Sequence, residues 1–133
     1  MANAIYPKYK EALLNGSANT NMSSGTVKVA LVDTGTYTYS SAHEFLSSLT
    51  GRVGTDQTLG TKTFTNGTFD AADSTWTAVS GSTCEALVIY IDTGVAGTSR
   101  LVAYLDTGVT GLPVTPNGGN ITATWDAAGI FTL

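Results

Sequence analysis

Three Asp-Thr-Gly tripeptides are the residues of this chain whose type and spacing could do chemistry. Each follows a short apolar run, and their aspartates are Asp33, Asp92 and Asp106. Two aspartates about 3 Å apart that share one proton can activate water against a peptide carbonyl. The repeated tripeptide therefore raises the hypothesis of an aspartic peptidase. This hypothesis requires that the predicted strands bring two of the three aspartates close together.

The predicted strands keep two of these aspartates apart. Residues 85–92 and 100–106 are typical of the two strands of a hairpin, with Asp92 at the loop end and Asp106 at the far end. About five residues at about 3.3 Å each separate the two carboxylates by about 17 Å. They cannot form a dyad, and Asp33 would need a second copy of the chain.

The tripeptide is also a common way to end a strand. Asp accepts hydrogen bonds from backbone N–H groups two residues later, and Gly tolerates a positive φ. Aspartic proteases carry a small Ala or Ser after Asp-Thr-Gly, where this chain has Thr36, Val95 and Val109. We therefore predict three strand-ending turns and no catalytic residue, and we expect that the chain is not an enzyme.

Other reactive side chains do not form a pattern that favours catalysis or metal binding. His43, the only histidine, is expected in a short helix, and Cys84, the only cysteine, is expected to be a small buried residue. Asp70 and Asp73 could offer oxygen atoms to calcium, but they lack the spacing of a calcium-binding loop. The sequence therefore predicts no metal and no cofactor.

The composition is that of a strand-rich domain with few charges. Hydrophobic residues make up 42% of the 133 residues and charged residues 12%, about half the usual charged fraction. The net charge of −4 argues against nucleic acid as a partner, because that binding needs clustered Lys and Arg. Neither a membrane-spanning apolar run nor the apolar core of a signal peptide is present, so we expect no membrane and synthesis in a cytoplasm.

Hydrophobic alternation predicts one all-β domain at residues 17–133, preceded by an N-terminal helix or docking arm at residues 1–16. The alternating segment 26–33 predicts a strand, and the wholly apolar segment 85–92 predicts a strand in the middle of a sheet. A tight turn is predicted at Asn66-Gly67. Roughly six to eight short strands favour a single β-sandwich or jelly-roll-like domain.

One or two short helices are predicted as well. The first, at residues 6–14, has Pro7 near its start and an Asn-Gly pair after its end. The second, at residues 41–49, is indicated by Ser41 three residues before Glu44, the spacing of a capping box.

Two further predicted strands each carry a tryptophan. The first should place Ser74, Trp76 and Ala78 on one face, and the second should place Ile121, Ala123 and Trp125 inward. Aromatic side chains can stack on sugars, so a carbohydrate-binding β-sandwich that uses the tryptophans or the tyrosines is an alternative function. The apolar faces on which both tryptophans lie argue against it.

Read in order, six segments of the chain resemble small virion structural proteins of tailed bacteriophages. They are AIYPKYKEALLNG, VKVALVDTGTYTYSSAHEFLSSL, EALVIYIDTG, SRLVAYLDTG, GLPVTPNGGNITATWD and GIFTL, and they cover nearly the whole chain. The resemblance implies a capsid decoration, or cement, protein that binds the outside of the head and clamps neighbouring major capsid subunits. It also implies a location in the virion. Proteins of this kind have no active site whose residues could be assigned to this chain.

Apolar and aromatic residues near both ends of the chain are the predicted contacts with the major capsid protein or with a second or third copy of the chain, in a dimer or trimer. Large aromatic side chains are favoured anchors of interfaces. The predicted contacts are Tyr6, Pro7, Tyr9, Leu13, Leu14, Ile130, Phe131 and Leu133. Two alternatives remain open: these residues cover the core of their own domain, or the protein belongs to the neck, tail or a fibre of the virion.

Overall fold

The computed structural model describes residues 3–133, and strands predominate among them. The one α-helix of this part, α1, is Pro7–Leu14. In chain order, strands β1 to β9 are Ala4–Ile5, Thr26–Val32, Arg52–Thr58, Thr68–Phe69, Ser74–Trp76, Ala86–Asp92, Arg100–Leu105, Ile121–Ala123 and Phe131–Thr132. Two single 3-10 turns lie at Leu46–Ser48 and Thr65–Gly67. The predicted all-β class is confirmed.

Strand β6 lies in the middle of the largest sheet. The sheet has five strands in the order β1-β7-β6-β2-β3, and neighbouring strands are antiparallel. β6 pairs with β2 over its whole length, from Asp92 opposite Thr26 to Ala86 opposite Val32. Every β6 residue from Ala86 to Ile91 is buried, which confirms the central position predicted from the apolar run.

The remaining strands form two small antiparallel pairs, β4 with β9 and β5 with β8. Phe69 of β4, Trp76 of β5 and Ala123 of β8 belong to the same hydrophobic core as the large sheet. The jelly-roll arrangement stays a prediction, because these strands add only two-stranded sheets.

Helix α1 begins at Pro7, one residue after the predicted start, ends at Leu14 as predicted, and packs on the edge of the large sheet. Just before it, β1 pairs with β7, and the Tyr6 N–H donates to the Val102 carbonyl oxygen at 2.9 Å. The side chains of Tyr6 and Tyr9 are buried in the core. In the described part of the chain no helix is long and apolar enough to cross a membrane.

The second predicted helix, at residues 41–49, is wrong except for the 3-10 turn within it. This segment instead hydrogen-bonds to the start of β7 through its backbone. The Leu46 N–H donates to the Ser99 carbonyl oxygen at 2.8 Å, and the Leu101 N–H donates to the Glu44 carbonyl oxygen at 3.0 Å. Backbone groups that would form hydrogen bonds within a helix therefore form them with a strand. The capping-box spacing carries no information about that strand.

The turn at Asn66-Gly67 is confirmed, but the hairpin around it is short. Both residues have positive φ, 54° and 78°, as the pair predicts. The two arms hydrogen-bond only where Thr63 faces Asp70, because β4, which follows the turn, pairs with β9.

The two tryptophan strands differ in how closely they follow the alternation. Ser74 and Trp76 are buried, but Ala78 is exposed at a φ of 51°, and its N–H donates to Asn120 Oδ1. The strand has ended by then, so the prediction for Ala78 is wrong. The inward prediction is confirmed for Ile121, Ala123 and Trp125.

Leu→Ala substitutions at two sites test the central role of β6. Leu87 is fully buried in β6, whereas Leu14 is 89% exposed at the end of α1. We expect Leu87→Ala to lower the free energy of unfolding by about 2–5 kcal/mol, because it removes buried methyl groups and leaves a cavity. Leu14→Ala should change it by less than about 0.5 kcal/mol. Urea denaturation of both variants measures this, and similar losses would contradict the assignment.

Candidate functional site

The Asp-Thr-Gly turns of β2 and β6 have the geometry predicted for strand ends. Asp33 Oδ1 accepts the Gly35 N–H at 2.8 Å, and Asp92 Oδ1 accepts the Gly94 N–H at 3.0 Å. In the turn after β7, the N–H groups of Asp106 and the next residue donate instead to the side-chain oxygen of Asn3.

Strand pairing confirms that Asp92 and Asp106 cannot form a dyad. In the β6–β7 hairpin Ile91 lies opposite Arg100 and Leu87 lies opposite Leu105, so the two aspartates follow opposite ends of the hairpin. Because β2 is also antiparallel to β6, Asp33 lies at the same end of the sheet as Asp106.

Glu85, directly before β6, lies between these two turns. Its N–H donates to the oxygen of Val32, the last residue of β2. Its Oε2 accepts the Thr34 backbone N–H at 2.9 Å and the Thr34 hydroxyl at 3.1 Å. One Asp-Thr-Gly turn therefore holds the carboxylate of the neighbouring strand in a fixed orientation.

A cleft of about 450 Å³ opens at this end of the sheet, and we call it the tyrosine cleft. Tyr37, Tyr39 and Tyr104 line it together with Thr34, Glu85 and Asp106. The ring centroids of Tyr39 and Tyr104 are 5.4 Å apart, and those of Tyr37 and Tyr104 are 6.4 Å apart. The cleft thus combines clustered aromatic rings with carboxylate and hydroxyl oxygens.

Hydrogen bonds hold one wall of the tyrosine cleft from behind. The buried hydroxyls of Tyr6 and Tyr37 are 2.9 Å apart, and the Tyr37 hydroxyl is 2.7 Å from His43 Nδ1. Burial, followed by this hydrogen bond, strongly raises the pKa of Tyr6. His43 thus lies outside any helix, in a chain of hydrogen bonds that starts in the core.

Two tyrosine hydroxyls of the cleft, those of Tyr104 and Tyr39, have no hydrogen-bond partner among the described residues. The Tyr104 side chain is only 3% exposed. Burial, then the charge of Asp106, raises its pKa, and burial also raises the pKa of Tyr39. Both phenols are therefore neutral and able to donate at neutral pH.

A second candidate surface lies where the two ends of the described chain meet. One groove, of about 370 Å³, is lined by Tyr9, Phe64 and Phe131 among others, and a second, of about 380 Å³, is lined by Leu13 and Leu14. Leu133 lines both and joins them. We call the exposed or half-buried part the terminal apolar surface: Leu13, Leu14, Phe64, Phe131 and Leu133.

The structure brings together some of the predicted contact residues and separates others. Leu13, Leu14, Phe131 and Leu133 share the terminal apolar surface. Tyr6 and Tyr9 are buried in the core of their own domain, while Pro7 is exposed and Ile130 half-buried outside both grooves. Sequence reasoning missed Phe64, whose only signal is its position beside the Asn-Gly turn.

Most basic side chains are satisfied within the chain. Four of the six Lys and Arg residues form ion pairs with N···O distances of 2.6–3.2 Å: Lys8 with Glu11, Lys28 with Asp92, Arg52 with Asp56 and Arg100 with Glu44. Lys62 donates to the carbonyl oxygens of Met22 and Gly25. The surface of residues 3–133 therefore offers phosphate groups no basic cluster.

The other residues that the sequence singles out serve the fold. Asp70 and Asp73 bind separate backbone N–H groups, those of Ala71 and Trp125. Trp76 is fully buried and Trp125 is 7% exposed, so neither ring offers a stacking face. Within residues 3–133, His, Cys, Asp and Glu side chains form no group of three that could hold a metal ion.

No model of a protein family matches the chain, and no curated protein is similar to it.

Cys84 should be unreactive in the folded protein. Its side chain is fully buried, and burial, with smaller effects of Glu85 and Asp33, raises the pKa of the thiol from 9.0 to about 11. This lowers the thiolate fraction at pH 8 about a hundredfold. We expect Ellman's reagent to label native protein at least about a hundredfold more slowly than urea-unfolded protein. Equal rates would contradict the burial.

Asp92 should make stability depend on pH. Its pKa is lowered, first by the Gly94 N–H and also by Lys28, whose Nζ is 3.1 Å from Oδ2. A lowered pKa in the folded state stabilises the fold above the unfolded pKa, near 3.8, and this contribution is lost as pH falls through the folded pKa. Asp92→Asn should therefore be less stable than the natural chain at pH 7, by a margin that shrinks in acid. A margin independent of pH in urea denaturation would contradict this.

Proposed function

We propose that this protein is a non-enzymatic structural protein of a tailed-bacteriophage virion, and specifically a capsid decoration protein. In this role it binds the outer surface of the assembled head and holds neighbouring major capsid subunits together. Two findings support this role. The sequence segments resemble virion structural proteins, and the main structural observation is the terminal apolar surface.

The exposure of this surface is the main support. Leu14 is 89% exposed and Leu133 is 62% exposed, although both belong to the same continuous apolar region. Adjacent exposed apolar side chains mark interaction sites more often than scattered ones do. Phe64 and Phe131 add aromatic rings, which are favoured at the centres of interfaces.

The rest of the molecule fits a passive clamp. A sheet buried on both faces of its central strand is a rigid support for contacts at its ends. Ion pairs satisfy most of the basic side chains, so the contact with the shell would depend on shape and apolar burial more than on charge.

Binding to heads tests the proposal. Heads of the phage that encodes the chain, prepared without it, should bind the purified protein, and Leu14→Asp or Leu133→Asp should weaken binding at least about tenfold, because a carboxylate would be buried at the contact. Val95→Asp is a matched control, since Val95 is 60% exposed on the β6–β7 loop, outside both grooves. All three variants should unfold as the natural chain does, because the substituted side chains are exposed.

Failure to bind heads would contradict the proposal. A copy number in the virion far below that of the major capsid protein would instead indicate a neck, tail or fibre component. Equal effects of all three substitutions would show that the terminal apolar surface is not the contact. Sedimentation velocity of the purified chain tests the dimer or trimer.

A further inference from the structure

We propose that the tyrosine cleft binds a carbohydrate, a neutral saccharide of one or two units. This function goes beyond capsid decoration and uses a different surface. The cleft is lined by Tyr39, Tyr104 and Glu85, whereas Leu14 and Leu133 line the grooves of the terminal apolar surface.

The hydroxyl of Tyr104 lines the cleft and has no partner within the protein that the structure describes. The side chain is 97% buried by the surrounding protein, since 3% of it is exposed. The hydroxyl oxygen is not itself fully buried but opens into the cleft, where it can donate to a ligand in place of water. A ligand hydroxyl in the cleft would accept from it, and the Tyr39 hydroxyl, which also has no partner among the described residues, is available in the same way.

Glu85 supplies the complementary acceptor. Thr34 fixes Oε2 with two hydrogen bonds, so the carboxylate is oriented before a ligand arrives. Its other oxygen, Oε1, has no partner in residues 3–133 and can accept a hydroxyl proton. Hydrogen bonds to a charged acceptor are stronger than neutral ones.

One aromatic ring, that of Tyr39, supplies the apolar contact that a sugar ring needs, because Tyr37 and Tyr104 are even less exposed than Trp125. Tyr39 is half-buried, and its ring lies between those of Tyr6 and Tyr104, at centroid distances of 5.1 and 5.4 Å. The hydrogen bonds from Tyr6 through Tyr37 to His43 hold the wall behind them. The volume of about 450 Å³ falls in the range of small-ligand sites, about 300–1,000 Å³.

Charge narrows the class of ligand. Glu85 and Asp106 both line the cleft, and no Lys, Arg or His does so among the described residues. A phosphate or an acidic sugar would be repelled by the Glu85 carboxylate, and a purely apolar ligand would desolvate its Oε1 without donating a hydrogen bond to it. A neutral saccharide offers several hydroxyls and a C–H face at once.

Titration with sugars tests this inference. The probes are glucose, galactose, mannose, N-acetylglucosamine, maltose and lactose, added to the ¹⁵N-labelled chain, with amide shifts as the readout. At least one sugar should shift the amides of Tyr39, Glu85 and Tyr104 with millimolar affinity or better. Tyr104→Phe and Glu85→Gln should each weaken it about tenfold, the effect of losing one hydrogen bond to or from a polar ligand.

Controls separate binding from folding. Tyr104→Phe removes a hydroxyl without a partner in the described chain, so its unfolding midpoint should not fall. Tyr9→Phe is the matched control, because the Tyr9 hydroxyl donates to the Thr20 oxygen at 3.0 Å outside the cleft. It should lower stability and leave sugar binding unchanged.

Three results would overturn the inference: no shift with any of the six sugars, binding that Tyr104→Phe leaves unchanged, or binding of Nα-acetyl-lysine amide at this site in place of sugars. The last would make the cleft a site for a basic side chain. Tyr104→Phe should still bind heads as the natural chain does, so the result is independent of the decoration proposal.

Discussion

Burial of β6 on both faces is the constraint on which the rest of the structure depends. Each fully buried aliphatic side chain contributes about 1.5–3 kcal/mol, and β6 carries an unbroken run of buried residues. A buried strand must also pair its backbone on both edges, which β2 and β7 do. The small strand pairs and α1 then add Phe69, Trp76 and Tyr9 to the same core.

The two candidate surfaces follow from this arrangement. Antiparallel pairing around β6 brings the end of β2, the start of β6 and the end of β7 to one side, where Thr34, Glu85 and Asp106 line the tyrosine cleft. Elsewhere, pairing of β9 with β4 brings Leu133 beside α1, and apolar residues from distant segments become one surface. The proposed contact with the capsid and the proposed sugar site therefore lie on different surfaces of the protein.

Sequence reasoning was most reliable where burial alone decides the structure. The alternation in β2, the apolar run in β6, the inward face of β8 and the start of α1 were all predictable, because side-chain periodicity and Pro7 act locally. The helix at 41–49 was predicted wrongly, because its capping signal is weaker than the hydrogen bonds that the segment makes to β7. The tyrosine cleft was not predicted, since only the tertiary structure places Tyr37 and Tyr39, which lie outside the strands, beside Tyr104 of β7.

The three Asp-Thr-Gly tripeptides show which features of the protein follow from the sequence and which follow only from the tertiary structure. The sequence by itself determined that they end strands, because Asp and Gly have the hydrogen-bonding and backbone preferences of a turn, and that Asp92 and Asp106 lie at opposite ends of a hairpin. Only the tertiary structure decided that the first and third turns flank Glu85 and open on a cleft of tyrosines. Turn preferences act within a few residues, whereas the neighbours of a strand are chosen by burial across the whole chain.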